Sequence, residues 1–163
     1  MESSFTAETG CCRFAVYRWA MTLLRPHWTA ARGDKTESMI VGTGIDIAEV
    51  PRIRRSIERF GDRFLHRIFT AGEMRYCDAK ANRVERYAAR FAAKEAAMKA
   101  LGTGWNHGVR WRDCEVVRMP GGRPTMSFHG KAAEFAARLE VKHAALSLSH
   151  TAGQAIAQVI LEN

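Results

Sequence analysis

The feature that most constrains this chain is an alanine-rich stretch, RFAAKEAAMKALGTGW, from Arg90 to Trp105. Alanine is the strongest helix former, so the stretch predicts a helix from about Asn82 to Leu101. Gly102 and Gly104 then end it. At about 100° per residue the alanines gather on one side of this helix. Because alanine side chains are small, that side can approach a sheet closely, and we expect a sheet to pack there.

The other side of the same helix carries polar and large apolar residues together. They are Arg90, Phe91, Lys94, Glu95, Met98, Lys99 and Leu101. We expect this side to lie at the edge of a pocket. The ordinary alternative is a helix-stabilising ion pair between Glu95 and Lys99, worth about 0.2–0.5 kcal/mol at this four-residue spacing.

The remaining patterns predict an α+β domain in which the long alanine-rich helix packs on a largely antiparallel sheet. Before that helix, we expect a strand at Ile40–Ile47, a helix that begins near Pro51, and a short helix started by the capping-box sequence TAGE. After it, the expected elements are strands at CEVVRM and PTMSF, a helix at GKAAEFAARLE, and strands at HAALSLSH and QAIAQVILE.

The first 38 residues differ from the rest, with no clear period and a polar end. We interpret residues 1–38 as an extension outside the fold and residues 39–163 as one domain. A targeting or docking arm is the alternative for the extension. The apolar run within residues 1–38 is interrupted by Arg18, so these residues do not match the pattern of a secretory signal. The extension holds five of the 25 basic and four of the 17 acidic residues, which leaves the domain at +7.

Composition limits the cell compartments and the classes of partner that we expect for this protein. A net charge of +8 favours an acidic partner, although a solubilising surface charge is an equal alternative. The four cysteines form no CxxC pair, so free thiols in a reducing cytoplasm are the simplest interpretation. No apolar run approaches the roughly 20 residues that a membrane span needs, and we expect no membrane partner.

Two acidic residues are candidates for a metal site. Asp46 falls near the end of a predicted strand and can meet Glu95 of the long helix. Mg²⁺ is usually held by one or two carboxylates, and waters and substrate phosphate complete its octahedron. Lys94 and Lys99 would neutralise phosphate charge beside such an ion. Backbone amides of the following glycine turn can approach phosphate oxygens. Together these residues predict a magnesium site for phosphoryl chemistry.

Two other classes of protein share some of these features. One is another magnesium-dependent phosphate-transfer enzyme or nuclease, although nucleases of that type usually carry the glutamate on a strand. The other is a non-enzymatic basic module that binds nucleic acid. No recognised nucleic-acid motif supports the second class, so we expect no nucleic-acid partner.

Three motifs in order, GIDI, RFAAKEAAMKALGTG and SLSHTAGQAIAQVI, resemble the holo-acyl-carrier-protein synthase family of bacterial-type 4′-phosphopantetheinyl transferases. The resemblance covers Met39 to about Glu162. It implies transfer of phosphopantetheine from coenzyme A to a serine of apo-acyl carrier protein, with Mg²⁺ as cofactor and adenosine 3′,5′-bisphosphate as the other product. It also implies a homotrimer with its sites at subunit interfaces, and a carrier protein of fatty-acid synthesis as the default, with a polyketide carrier as the alternative.

The resemblance also assigns roles to residues. Asp46 and Glu95 would be the metal ligands, and Glu95 and Lys94 the catalytic groups. The serine proton would go to Glu95 or to a water on the metal, and both remain open. The residues expected to bind coenzyme A are Lys99, Gly102, Thr103, Gly104 and His150.

A row of arginines follows the first predicted strand. In the family that the chain resembles, the position of Arg52 is basic and binds the acidic carrier protein. Arg55 and Arg59 lie close to the same helical face. We expect these three to form the docking surface, where complementary charge would raise the association rate and set orientation. An ordinary solvated face is the alternative.

Overall fold

The computed structural model of the protein describes residues 38–163. The predicted extension lies outside this range except for Ser38, so its boundary stays a prediction. The strands are β1 (Ile40–Glu49), β2 (Cys114–Arg118), β3 (Pro124–Phe128), β4 (His143–His150) and β5 (Gln154–Glu162). The helices are α1 (Val50–Phe60), α2 (Asp62–Ile68), α3 (Ala71–Asp78), α4 (Arg83–Ala100) and α5 (Gly130–Arg138), and a 3₁₀ turn spans Trp111–Asp113. The predicted α+β architecture is confirmed.

The strands form two antiparallel sheets. One sheet has the order β1-β5-β4, and the other is the hairpin of β2 and β3. In the first sheet Asp46 stands opposite Ala157, which stands opposite Leu148 on the far strand. Directly opposed residues project from the same side of a sheet, so Asp46 shares its side with these apolar residues.

That side of the sheet packs on α4, as the alanine pattern predicts. Ala92, Ala93, Ala96 and Ala97 are fully buried. The approach is close enough that a Cβ atom at Gly44 of β1 would overlap the carbonyl oxygen of Ala96. Glycine in the strand and alanine on the helix are therefore both needed for this contact.

The other side of α4 differs from the prediction. It was expected to lie at the edge of a pocket, yet Lys94 is fully buried and Arg90 and Met98 are almost so. The reason is a second layer, in which α3 and β2 pack across α4. Periodicity along one helix does not report what tertiary structure covers it, so this side of α4 is buried at Arg90 and Lys94, whereas Glu95 and Lys99 stay partly exposed and Met98 lines a cavity.

The local signals for α3 are confirmed. The Thr70 amide donates to Glu73 at 2.9 Å, and the Glu73 amide donates to the Thr70 hydroxyl at 3.2 Å, which completes the capping box. Across residues 38–163, no helix combines the length and apolar character needed to span a membrane.

The outer side of the three-stranded sheet is apolar and exposed. Ile47 stands opposite Ile156, and Ile45 lies on the same side of β1. The exposed fractions are 54% for Ile45, 57% for Ile47 and 37% for Ile156. Several large apolar residues together on one open surface are typical of an association face.

Candidate active site

Two carboxylates that are 49 positions apart in the sequence meet at one point, between β1 and α4. Asp46 lies on the side of β1 that faces α4. Gly44 and Ala48 are on the same side of the strand, and both are buried. The Asp46 side chain is only 10% exposed, and its Oδ2 atom is buried without a hydrogen-bond partner among residues 38–163. Glu95 of α4 carries the second carboxyl group, and the two groups interact directly.

The proximity of these carboxyl groups changes the acidity of Glu95. Burial raises the pKa of Glu95, and the adjacent Asp46 raises it further by charge repulsion. Trp105 and Lys99 act in the opposite direction, through a hydrogen bond and positive charge respectively. The pKa of Glu95 is nevertheless raised. A cation between the two carboxylates would remove this repulsion.

Lys99 reaches across to the strand rather than along its own helix. Its Nζ donates to Asp46 Oδ1 at 2.7 Å and to the Ile45 carbonyl oxygen at 3.0 Å. The ordinary alternative, an ion pair with Glu95, is absent from the ion pairs of residues 38–163. About half of the Lys99 side chain stays exposed, so its charge is also accessible to a ligand.

Lys94 lies in a different place. Its ammonium group pairs with Glu73 at 2.8 Å, and both side chains are fully buried. It also donates to the carbonyl oxygens of Trp111 and Cys114. An ammonium group has three donors, and these three acceptors engage them all. The catalytic role predicted for Lys94 stays a prediction, and these contacts do not favour it.

The glycine turn after α4 serves as a helix cap. The amides of Thr103 and Gly104 donate to the Met98 carbonyl oxygen at 3.1 and 3.3 Å, and the Gly102 amide donates to Lys99 at 3.0 Å. Gly102 and Gly104 have φ values of 71° and 53°, which favour glycine. Because these amides satisfy the last carbonyls of the helix, the predicted contact with coenzyme A through Gly102, Thr103 and Gly104 stays a prediction.

His150 lies at the opposite end of α4. Its Nε2 is 3.4 Å from Nδ2 of Asn82, the residue just before the helix. Glu95 lies about 18 Å further along the axis from the start of α4, at about 1.5 Å per residue. The described contacts therefore do not bring His150 to the carboxylate pair within one chain.

The three predicted docking arginines share one surface. Arg52, Arg55 and Arg59 line a shallow hollow of about 490 Å³ on α1, together with Phe60. The Arg59 guanidinium lies 5.1 Å from the centre of the Phe60 ring, which is half exposed. The hollow thus combines positive charge with an accessible apolar ring.

The sequence does not reveal the contacts of two further residues, Trp105 and Glu73. Trp105 follows the glycine turn, is 71% exposed and contacts Glu95. Glu73 appeared only as a capping residue, although it is also the partner of Lys94. A lysine among the alanines of α4 indicates that a buried acidic partner is needed. The sequence spacing does not identify which acidic residue that partner is.

Trp105 and Trp111 border the larger cavity, of about 850 Å³. Met98 of α4 contributes to its floor, while Arg67 and Arg112 add positive charge to its wall. This mixture of aromatic and cationic groups suits a ligand that has both apolar and anionic parts.

Comparison with known proteins gives the class to which this architecture belongs. Residues 42–159 match the model of the 4′-phosphopantetheinyl transferase superfamily. The chain belongs to this superfamily, as its three motifs predict, and it is therefore a transferase enzyme.

Within that class, several similar proteins share one name. Proteins named holo-[acyl-carrier-protein] synthase from Koribacter versatilis and Solibacter usitatus are 68% and 63% identical over 125 residues, which is 77% of this chain and the whole of each relative. The crystal structure of the synthase of that name from Neisseria meningitidis matches with a TM-score of 0.70 and 32% identity, over 77% of this chain and all of that one. The Helicobacter pylori synthase in complex with coenzyme A matches with a TM-score of 0.64 and 31% identity, over 73% and 98% of the two chains.

Proposed function

We propose that this enzyme transfers the 4′-phosphopantetheine group of coenzyme A to a serine of apo-acyl carrier protein and releases adenosine 3′,5′-bisphosphate. The observation that carries the proposal is the meeting of Asp46, Glu95 and Lys99 between β1 and α4. The names of the relatives supply the substrate class, since one solved relative is a complex with coenzyme A.

The carboxylate pair suits Mg²⁺ as the cofactor. Asp46 Oδ2 is a buried oxygen with no hydrogen-bond partner in the part of the chain that the structure describes, and the two carboxylates repel each other. Among residues 38–163 no third His, Cys, Asp or Glu joins them to form a closed cluster, so the set resembles an open magnesium site with one or two carboxylates. Asp46 and Glu95 would hold the ion, which would polarise the pyrophosphate and offset charge on the leaving group.

In the transfer step, the serine oxygen of the carrier bonds to the phosphorus on the pantetheine side. The bond from that phosphorus to the bridging oxygen breaks, and this oxygen leaves with the nucleotide. Lys99 would stabilise the negative charge on these phosphates because half of its side chain is accessible beside Asp46. Glu95 is a candidate to accept the serine proton, because its carboxylate lies in the same group of side chains as Asp46 and Lys99.

The carrier protein would dock on α1. Arg52, Arg55 and Arg59 supply positive charge for an acidic helix, and Phe60 supplies an apolar contact in the same hollow. Charge complementarity of this kind chiefly raises the association rate and fixes orientation. The hollow begins three residues after β1 ends, so a carrier bound there would lie near the carboxylate pair.

A homotrimer with shared sites is also part of the proposal. The exposed face of Ile45, Ile47 and Ile156 offers an apolar surface for another copy of the chain. His150 and Glu95 lie at different ends of α4 in one chain, so His150 of a neighbouring copy is a candidate for the coenzyme A bound at Glu95. We further propose that the enzyme works in the cytoplasm in fatty-acid synthesis, without nucleic-acid or membrane partners.

A parallel incubation tests the function against its enzymatic rival. The protein and Mg²⁺ are supplied either with coenzyme A and an apo-carrier protein or with plasmid DNA. We expect the carrier to be modified and the plasmid to stay intact. Cleavage of the plasmid with an unchanged carrier would favour a nuclease.

A further inference from the structure

The buried pair of Lys94 and Glu73 contacts parts of the fold that reach the active site. Glu73 uses both carboxylate oxygens, because Oε1 accepts from the Val116 amide at 3.0 Å while Oε2 accepts from the Thr70 amide and from Lys94. The pair therefore joins α4 to α3 and β2 at one point. It leaves no ammonium proton for a substrate phosphate.

One of the Lys94 bonds reaches the end of a segment that is otherwise anchored by the buried Val109 side chain and by the His107 ring beside Phe135. Between Trp105 and Arg110 the chain is mostly exposed, and its backbone hydrogen bonds are local. Asn106 donates to Thr103 and Val109 donates to Asn106. Lys94 then donates to the Trp111 carbonyl oxygen at 3.1 Å, which ties the far end of the segment to α4.

The ring of Trp111 contacts two other aromatic rings, one of which lies beside Glu95. It stacks on Phe91 of α4, with ring centres 4.7 Å apart and planes at 25°. Its ring centre lies 5.5 Å from that of Trp105, in an edge-on arrangement. Trp105 in turn contacts Glu95. A continuous set of contacts thus runs from Glu73 and Lys94 through the two tryptophans to the carboxylate pair.

We infer that Lys94 is a positioning residue: with Glu73 it fixes Trp111, and through Trp111 it holds Trp105 against Glu95, so that both indoles keep their places in the lining of the large cavity. This inference rests on the proposed transfer reaction for its effect on rate. It differs from the role predicted for Lys94 from the sequence, in which the ammonium group touches phosphate. It also differs from a purely structural ion pair, because it ties Lys94 to the placement of a particular indole.

The first test removes both charges together. Removing one partner leaves a buried charge unpaired and endangers folding, whereas removing both is often nearly neutral for stability. The variant is therefore Glu73→Gln with Lys94→Met, which keeps an acceptor for the α3 cap but loses the bond to Trp111. We expect a melting temperature near that of the wild type, with kcat reduced about 10–100-fold, as for other supporting residues of active sites. Lys142→Met, at an exposed position, is the matched control and should change neither value.

The second test asks whether Lys94 and Trp111 act through each other. Trp111→Leu should lower kcat by a similar factor, and combining it with the charge-free pair should lower kcat little further, because both changes release the same indole. Losses that multiply would show that Lys94 acts on the reaction independently. A normal kcat in the stable charge-free pair would reduce Lys94 and Glu73 to structural roles.

A spectroscopic readout separates this inference from the transfer reaction. In a full-length chain carrying Trp19→Phe and Trp28→Phe, the remaining tryptophans are Trp105 and Trp111. Their close edge-on contact should give a strong near-ultraviolet circular dichroism signal, and the charge-free pair should weaken it. If that signal is unchanged, the positioning role is wrong even where transfer is lost. If the wild type transfers nothing, the proposed function fails while the signal still reports on Lys94.

Discussion

Lys99 donates a 2.7 Å hydrogen bond to Asp46 across the contact between α4 and β1, and the second oxygen of Asp46 is buried without a partner within the described residues, 38–163. The Asp46 carboxylate of β1 thus lies against α4, beside the positive charge of Lys99. Glu95, four residues before Lys99 on the helix, completes the group. The fold brings these side chains together because glycine in β1 and alanine in α4 allow the two backbones to approach closely.

The first prediction concerns the two carboxylates. Asp46→Asn and Glu95→Gln should each lower transfer by about 100-fold or more, since each removes a charged ligand of a metal that stabilises the transition state. EDTA should have the same effect on the wild type, and excess Mg²⁺ should reverse it. Circular dichroism and thermal melting check that both variants keep the fold. Near-normal turnover of either variant at saturating Mg²⁺ would contradict the two-carboxylate assignment.

The second prediction concerns carrier docking. Arg52→Glu should raise the KM for the carrier protein about tenfold, equivalent to about 1.4 kcal/mol, while the KM for coenzyme A changes little. Added salt should weaken the wild type in the same direction. Arg138→Glu on α5 makes the same charge change at another exposed position and serves as the control. Equal effects of the two substitutions would mean that α1 is an ordinary solvated face.

Several parts of this arrangement were accessible from the sequence, for identifiable reasons. The span of α4 follows from alanine propensity, and the start of α3 follows from the capping box at Thr70 and Glu73. Both signals are local, so neighbouring residues are enough to reveal them. The pairing of Asp46 with Glu95 is not local, and its prediction depended on the combination of two acids, two lysines and a glycine turn.

Other parts depend on tertiary contacts that periodicity does not encode. Lys94 and Lys99 fall on the same predicted side of α4, yet one is fully buried against Glu73 and the other is half exposed beside Asp46. The difference arises because α3 and β2 cover part of that side. The contact of Trp105 with Glu95 likewise depends on how the segment after the glycine turn folds back.

The third prediction concerns sharing of the site between chains. Glu95→Gln chains and His150→Ala chains should each be nearly inactive, and mixing them should restore part of the activity. Recovery is expected because some interfaces in a mixed trimer would pair an intact Glu95 with an intact His150. Subunit exchange is confirmed separately with differently tagged chains.

A matched control for this mixture disrupts the apolar face of the sheet. Ile47→Glu in both variants places charge on the exposed face and should prevent assembly, measured by light scattering, and should abolish the recovery. An absence of recovery in the first mixture, despite proven exchange, would rule against sites shared between subunits.

The fourth prediction concerns stability at acid pH. Glu115 accepts hydrogen bonds from Thr70 at 2.6 Å and from His129 at 2.9 Å. Burial alone would raise the pKa of Glu115, but these bonds lower it below the ordinary value of 4.5. A carboxylate with a lowered folded pKa contributes stability above the unfolded pKa, and this contribution is lost as the pH falls through the folded pKa.

The expected difference is therefore largest near neutral pH. Glu115→Gln should melt at a lower temperature than the wild type there, and the gap should shrink as the pH falls from 4.5 through the lowered pKa. Glu134→Gln, at an exposed position on α5, is the control. A gap that stays constant across this range would mean that ionised Glu115 contributes nothing to stability.

The most direct test of the proposed function is the mass of an apo-acyl carrier protein after incubation with this enzyme, coenzyme A and Mg²⁺. We predict a gain of one phosphopantetheine group, which disappears when coenzyme A is omitted, when EDTA is added, or when the Glu95→Gln variant replaces the wild type. The synthase from Neisseria meningitidis, incubated in parallel, checks that the carrier is competent. An unchanged carrier mass with this enzyme, while that control modifies the same carrier, would contradict the proposed function.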